Sequence, residues 1–307
     1  MIYFRLVVLT VILAVVPAFA GPYEEAVIAY ERMDFAAALH ILRPMGEQGD
    51  ARAQYNLGVM YAHGDGVPRN DQQAVFWYRK AAEQGFDRAQ HNLGGMYARG
   101  DGVPKDDKQA AVWYRKASEQ GFAWSQGNLA FMYANGQGVD KDEERAAFWY
   151  QKAAEQGAAL AQLTLGMMYL DGRGVPKNAK RAGLWIRKSA DQGVSDAQAT
   201  LGTLYLAGQG VSKDENQAAH WYRKAAEQGN VPAQVNLGTI YREGIGVSKD
   251  EKQSASWFRK AAEQGNPYAQ FQLGLMYESG RGVPKDQQQA AFWYRKAAEQ
   301  GFTEKAR

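Results

Sequence analysis

A tripeptide of Glu or Asp followed by Gln and Gly recurs at a constant interval, and it constrains the fold more than any other feature of the chain. Its glycines are 36 residues apart, at Gly49, Gly85, Gly121, Gly157, Gly193, Gly229, Gly265 and Gly301. A strict period of this length is typical of a solenoid, in which each repeat buries its apolar face only against its neighbours. Seven complete repeats therefore fill residues 50–301.

Each repeat has two stretches of apolar residues with helical spacing. In the first repeat, Leu57 and Tyr61 lie four residues apart, and so do Ala74 and Tyr78. The segment between them, residues 64–70, contains two glycines and a proline, which end one helix and cannot continue it. The sequence therefore predicts a helix A and a helix B in every repeat.

Recurring polar and glycine positions mark the helix ends and the packing. Helix B is predicted to begin after a capping side chain, at Asn70, Asp106, Asp142, Asn178, Asp214, Asp250 and Asp286. A glycine recurs inside helix A, at Gly58, Gly94, Gly166, Gly202, Gly238 and Gly274, with Ala130 at the equivalent position of the third repeat. Because a mid-helix Gly costs about 1 kcal/mol relative to Ala, its recurrence predicts a neighbouring helix that is too close for a methyl group.

Three motifs of the repeat together resemble a known family. They are Ala-Gln-x-x-Leu-Gly-x-x-Tyr, Gly-x-Gly-Val-x-Lys-Asp and Ala-x-x-Trp-Tyr-Arg-Lys-Ala-Ala-Glu-Gln-Gly. Residues 50–301 resemble seven Sel-like (Sel-one) repeats, a 36-residue relative of the tetratricopeptide repeat. The resemblance implies an all-α solenoid, a right-handed α/α superhelix of helix-turn-helix repeats, with the A helices lining a concave groove. It also implies an interaction adaptor, and for an exported bacterial member a role in envelope assembly, signalling control or contact with a host.

The first 20 residues have the pattern of a secretory signal peptide. Arg5 precedes an apolar run from Leu6 to Val16, and Ala18-Phe19-Ala20 provides an A-x-A cleavage site. The run is shorter than the roughly 20 residues of a membrane-spanning helix. We expect cleavage after Ala20 and a periplasmic or secreted protein without an integral membrane anchor.

The remaining ends of the chain differ from the repeat. Residues 21–49 predict an N-terminal capping helical hairpin, with Asp34 as the N-cap of its second helix and Pro44 kinking that helix. Residues 302–307 form a C-terminal tail too short for another helix. Because the last helix B, with Trp293, then lacks a covering helix, self-association through the C-terminal end is a further hypothesis.

The composition excludes several kinds of chemistry. The 36 basic and 33 acidic residues are scattered, so a nucleic-acid partner is not indicated. The chain has no cysteine, and its four histidines, His40, His63, His91 and His220, are not combined with a carboxylate set that would complete a metal site. No serine lies in a nucleophile motif. We therefore expect a non-enzymatic protein with no catalytic residue, cofactor or metal.

The aromatic and basic residues of helix B recur in every repeat. The tryptophans are Trp77, Trp113, Trp149, Trp185, Trp221, Trp257 and Trp293. Their constant position on the core stripe predicts packing rather than a ladder for stacking sugars. The Arg-Lys pair that follows, as at Arg79 and Lys80, is expected to face solvent, with Lys80 paired to Glu83.

Partner specificity is expected where helix A varies between repeats. The central positions form an apolar patch of Trp124, Phe131, Leu160, Leu163 and Met167. The preceding repeats place at the same groove Arg52, Tyr55, Val59, Arg88 and His91, with Arg99 beside them, and the last repeat contributes Tyr268 and Phe271. An exposed apolar patch usually marks an interaction site. The alternative is that helix packing buries these side chains.

Asparagines recur beside these positions, at Asn56, Asn92, Asn128 and Asn236. They either hold the backbone of an extended partner segment or link adjacent A helices. The sequence does not separate these two interpretations.

These features predict a scaffold that binds a segment of an envelope or secreted protein partner in its groove. A first alternative is a periplasmic hydrolase or ligand binder that acts on peptidoglycan or a β-lactam, although the paired cysteines of the β-lactam-binding branch of the resembled family are missing here. A second is a polysaccharide-binding scaffold that uses Trp124, Tyr55 and Tyr268.

Overall fold

A computed structural model describes residues 21–302 as an all-α protein. The helices of this part of the chain are α1 (Pro22–Glu31), α2 (Phe35–Glu47), α3 (Ala51–His63), α4 (Asp71–Glu83), α5 (Asp87–Arg99), α6 (Asp107–Glu119), α7 (Ala123–Asn135), α8 (Glu143–Glu155), α9 (Ala159–Asp171), α10 (Ala179–Asp191), α11 (Ser195–Ala207), α12 (Glu215–Glu227), α13 (Val231–Glu243), α14 (Glu251–Glu263), α15 (Pro267–Ser279) and α16 (Gln287–Glu299). The predicted signal peptide and residues 303–307 lie outside the described residues.

The helices form helix-turn-helix pairs, which confirms the predicted fold class. The chain forms two compact units, one ending at Gln120 and the other beginning at Gly121. In the first unit, α2 packs on α3 and α4 on α5, in addition to the contacts within each pair. In the second unit, α8 packs on α9, α10 on α11, α12 on α13 and α14 on α15 in the same way. Each helix B therefore contacts the helix A of its own repeat and that of the next repeat in its unit.

The helix ends follow the sequence signals. The Asn70 side chain accepts a hydrogen bond of 3.0 Å from the backbone N–H of Gln73, and the other six predicted caps also accept a backbone hydrogen bond. Gly64 ends α3 with a φ of 82°, a conformation that suits glycine. In the N-terminal hairpin, Asp34 caps α2, which continues through Pro44 to Glu47.

The glycines inside helix A lie against a large side chain of helix B, as their recurrence predicts. A Cβ atom added to Gly58 would lie 2.5 Å from the Tyr78 ring, and one added to Gly166 would lie 2.5 Å from Ile186. Such distances are too short for a methyl group, so these glycines let the two helices of a repeat approach each other.

The tryptophans of helix B pack in the core in four repeats and are half-buried in the other three. The Arg-Lys pair that follows the tryptophan is exposed, and it also contacts aromatic side chains. The Lys260 ammonium lies 4.0 Å from the centroid of the Trp257 ring, and Arg79 donates a hydrogen bond of 2.7 Å to the Tyr97 hydroxyl. Lys80 likewise lies over an aromatic ring, that of Phe76, at 4.7 Å. Cation–π contacts thus add to the packing of this face.

Candidate functional site

The predicted groove residues of the first repeat are largely engaged within the first unit. Arg52 is exposed, and its guanidinium lies 4.1 Å from the centroid of the Tyr23 ring and 3.3 Å from the Asp50 carboxylate. Tyr55 is half-buried, with its ring centroid 5.2 Å from that of Phe86. Ring packing therefore fills the groove position of this repeat.

The second repeat differs in having a half-buried imidazole at the position of Tyr55. The His91 ring lies 5.6 Å from the Tyr114 ring, and burial, with a smaller effect of the Arg99 charge, lowers the His91 pKa to about 4. Val59 is half-buried against the core, whereas Arg88 is exposed. His91 is therefore neutral near pH 7 and presents no cationic group to a partner.

The central apolar patch lies in the second unit and is partly open. Trp124 is 74% exposed, Leu160 68% and Phe131 52%. Leu163 and Met167 are half-buried. Exposure thus favours the interaction-site interpretation for the first three residues, and helix packing accounts in part for the other two.

The three exposed residues line one pocket of about 740 Å³ at α7 and α9. Gly127 and Tyr150 also line it, and Tyr150, from α8, is only 8% exposed. Polar groups at its edge are the side chains of Asn128, Gln156, Thr164 and Gln192. An opening with apolar walls and a few polar groups is the usual form of a binding site.

The last predicted groove positions are covered. Phe271 is 8% exposed, because its ring lies 5.7 Å from Phe302 and 5.4 Å from Tyr294. Tyr268 is half-buried, with its ring 6.1 Å from Phe302. Both residues line a smaller pocket of about 490 Å³, whose wall also includes Arg242. Of the predicted groove aromatics, Trp124 and Phe131 are thus the most accessible.

The recurring asparagines do not all have the same role. Asn56 donates a hydrogen bond of 3.0 Å to the Tyr23 hydroxyl, and Asn92 bonds to Tyr55. These bonds support the interpretation that asparagines link adjacent A helices. Asn128 differs, because it lines the pocket and its side chain makes no hydrogen bond within residues 121–302.

A second exposed apolar row was not predicted from the sequence. It consists of the residue before the tryptophan of helix B, at Phe76, Val112, Phe148, Leu184 and Phe292. Their exposed fractions range from 43% to 64%. In the sequence, these residues are recognisable because an apolar residue recurs next to the tryptophan of helix B. This recurrence alone does not reveal whether the side chain faces the core or solvent.

Other site chemistries find no support in the described part of the chain. Within residues 21–302, no group of three His, Cys, Asp or Glu side chains could hold a metal ion. No helix in the same residues has both the length and the hydropathy to cross a bilayer.

The repeat signature matches a protein family over most of the chain. Seven segments match the Sel1 repeat, at residues 51–86, 87–122, 125–157, 159–194, 195–230, 231–266 and 267–302. This chain belongs to the Sel1 repeat family. Sel1 repeats generally mediate protein–protein interactions.

Two solved structures have a similar fold. One is that of c5321, a protective antigen of uropathogenic Escherichia coli strains with an SLR fold, at 41% identity and a TM-score of 0.83. The alignment covers 86% of this chain but only 56% of that protein. The other is a Sel1 repeat protein from Oxalobacter formigenes, at 33% identity and a TM-score of 0.71, covering 93% of this chain and 88% of that one. A comparison with curated proteins finds no match.

Proposed function

We propose that this Sel1 repeat protein is a non-enzymatic scaffold that binds a segment of an envelope or secreted protein through the A helices of its second unit. The observation that carries the proposal is the exposure of Trp124, Phe131 and Leu160 around a single pocket. Aromatic and aliphatic side chains that converge on a preformed pocket are the usual anchors of a protein interface. The signal-peptide pattern of residues 1–20 supports a partner outside the cytoplasm.

The positions of three exposed arginines along the sequence support a defined orientation of the bound partner. Arg52, Arg88 and Arg99 belong to the two repeats before the apolar patch, and all three are exposed. Exposed charges mainly affect the rate at which a partner associates and the orientation in which it arrives. A partner with acidic residues as well as an apolar segment would fit these two features of the sequence.

The experiment compares two double variants, in each of which two exposed apolar residues are changed to Asp. Phe131→Asp with Leu160→Asp places charges in the pocket, and Phe148→Asp with Leu184→Asp places them on comparably exposed residues of helix B in the same unit. After cross-linking in cells and mass spectrometry, a partner captured by wild type is purified and titrated. We expect at least tenfold weaker binding to the pocket variant and unchanged binding to the helix B variant, with helical circular dichroism retained in both.

The opposite pattern would identify the helix B row as the interface and overturn the proposal. Equal binding to all three proteins would overturn it as well. Turnover of nitrocefin or purified cell wall by the wild-type protein would contradict a non-enzymatic role. Saturable binding of oligosaccharides that the pocket variant loses would replace the protein partner with a carbohydrate.

A further inference from the structure

The pocket of the second unit lies where other repeats have two aromatic rings. In the first repeat, the rings of Tyr55 and Phe86 lie 5.2 Å apart, and Tyr55 lies 5.9 Å from Tyr78 of helix B. Tyr55 belongs to helix A, and Phe86 directly precedes the next helix A. The Tyr55 ring therefore packs on the helix B tyrosine, and the Phe86 ring packs on Tyr55.

The seventh repeat has the same arrangement. The Phe271 ring lies 5.4 Å from Tyr294 and 5.7 Å from Phe302. These three residues occupy the repeat positions of Tyr55, Tyr78 and Phe86, shifted by 216 residues, or six repeats of 36. One repeat in each unit thus has a row of three rings, in which the helix A ring lies between the helix B tyrosine and the ring that follows helix B.

In the third repeat, both covering rings are replaced by the smallest residues. Gly127 stands at the position of Tyr55, Ala158 at that of Phe86, and Tyr150 at that of Tyr78. All three line the pocket of about 740 Å³. Gly127 and Ala158 thus place no ring beside Tyr150, which is 8% exposed and forms part of the wall of the opening.

Gly127 has no packing role that would explain a glycine. A Cβ atom added to it would meet nothing within 4 Å, in contrast to the Cβ atom at Gly166 of the next helix A. A glycine within a helix costs about 1 kcal/mol relative to alanine. Helix α7 thus bears this loss of stability although no neighbouring atom requires a glycine at position 127. Such a residue is expected at a position that is kept open for another molecule.

The fifth repeat is the contrasting case. Ala199 is small there as well, but the Thr203 and Tyr222 hydroxyls lie 2.9 Å apart, and Asn230 donates a hydrogen bond of 2.7 Å to Asp196. Polar side chains therefore satisfy one another at this position. The third repeat instead surrounds the opening with the exposed side chains of Trp124, Phe131 and Leu160.

We propose that this pocket binds an aromatic side chain of the partner segment, which takes the place of the missing rings over Tyr150. The proposal rests on the proposed function and specifies what the partner must carry. Ring-to-ring contacts favour an aromatic over an aliphatic side chain, by about 0.5–1.5 kcal/mol beyond the area buried. The Asn128 side chain, which makes no hydrogen bond within residues 121–302, offers its amide to the backbone beside the bound ring.

The test fills the pocket with the protein's own rings. Gly127→Tyr with Ala158→Phe restores the residues of the first repeat, and Ala199→Tyr with Asn230→Phe makes the same change in the fifth repeat as a control. Random linear peptides displayed on phage are selected on the wild-type protein. An enriched peptide is synthesised with its aromatic residue intact, changed to Leu and changed to Ala.

We expect the enriched peptides to share an aromatic residue, and binding to fall at least tenfold in the filled variant but not in the control. Changing the aromatic residue to Leu should weaken binding by about two- to twelvefold. Should the filled variant misfold by circular dichroism, Gly127→Leu provides a smaller plug with the same expected loss.

Enrichment without an aromatic residue, no enrichment at all, or a neutral change to Leu would overturn the aromatic pocket. Binding that survives in the filled variant would do so too. The scaffold proposal is judged separately by Phe131→Asp with Leu160→Asp and the cellular partner. It stands if that variant loses the partner while the filled variant keeps it.

Discussion

Gln228 Nε2 donates a hydrogen bond of 2.8 Å to Oε1 of Gln198. The Gln198 side chain is 4% exposed, and its own Nε2 donates a bond of 3.1 Å to the carbonyl oxygen of Ala190. One buried amide thus joins the end of the preceding helix B, its own helix A and the end of the following helix B. The same glutamine pair recurs at 54 and 84, 90 and 120, 126 and 156, 162 and 192, 234 and 264, and 270 and 300.

Gln198→Leu should destabilise the second unit. The change removes both hydrogen bonds of the buried Gln198 amide, while the Ala190 carbonyl keeps its bond from the Gly193 N–H. A typical hydrogen bond contributes about 0.5–1.5 kcal/mol to stability. Urea unfolding followed by circular dichroism measures the effect as a lower midpoint. Gln209→Leu, at an exposed glutamine beyond the same helix, is the control and should leave the midpoint unchanged. Equal midpoints for both variants would show that the amide pair contributes no net stability.

Two glycine-to-alanine changes in the second unit should have opposite effects. In Gly166→Ala, the new methyl group would lie 2.5 Å from Ile186 and 3.2 Å from the Ala182 carbonyl oxygen, so we expect a loss of about 1–3 kcal/mol. In Gly127→Ala, the methyl group meets nothing within 4 Å, so the better helix propensity should stabilise the protein by about 0.5–1 kcal/mol. Urea midpoints of the two variants decide the matter, and a destabilised Gly127→Ala variant would show that the glycine is needed for folding.

The sequence was sufficient to predict the fold because each repeat contains several independent signals for its helices and turns. The capping side chains and the glycines with positive φ recur in all seven repeats, and the close contact of a helix A glycine with a large helix B side chain recurs in six. Because these local signals agree with one another and recur along the solenoid, the fold can be predicted from the sequence.

The pocket could not be predicted in the same way. Gly127 stands at a position of helix A that varies between repeats, at which Tyr55 and Phe271 contact Phe86 and Phe302 from the segment that follows helix B. Phe271 was predicted to face the groove, and it is buried because Phe302 covers it. Contacts between residues about 30 positions apart decide both cases, and periodicity within a helix does not reveal them.

The Tyr30 hydroxyl donates a hydrogen bond of 2.5 Å to the Asp65 carboxylate and connects α1 to the turn after α3. Burial and this bond raise the Tyr30 pKa to about 12. Tyr30→Phe keeps the ring, which packs 5.2 Å from Phe35, and removes only the bond to a charged group, worth about 1.5 kcal/mol. We expect hydrogen exchange in α1 to accelerate about tenfold, while α5 remains protected.

The matched control for Tyr30→Phe is Tyr61→Phe. The Tyr61 hydroxyl accepts an exposed hydrogen bond of 3.3 Å from Arg43, so its loss should change exchange in α1 very little. If the two variants gave the same exchange rates, the bond between Tyr30 and Asp65 would not hold the N-terminal hairpin in place.

His91 should make the stability of the protein depend on pH. Its pKa falls from 6.5 to about 4 on folding, because the half-buried imidazole beside Tyr114 loses hydration and lies near Arg99. The folded state therefore disfavours the proton. The stabilising effect is complete above pH 6.5 and is lost progressively as the pH falls towards 4. His91→Phe, which places at this position the residue found at Phe271, removes the titrating group.

We expect the unfolding free energy of the wild type, relative to His91→Phe, to fall by roughly 1–3 kcal/mol between about pH 7 and pH 4. Urea unfolding of both proteins at several pH values measures the difference, which cancels the titration of the carboxylates common to both. His220→Phe, which makes the same change at an exposed histidine, is the control variant. A difference between wild type and His91→Phe that stays constant with pH would mean that His91 accepts a proton equally well in the folded and unfolded chains.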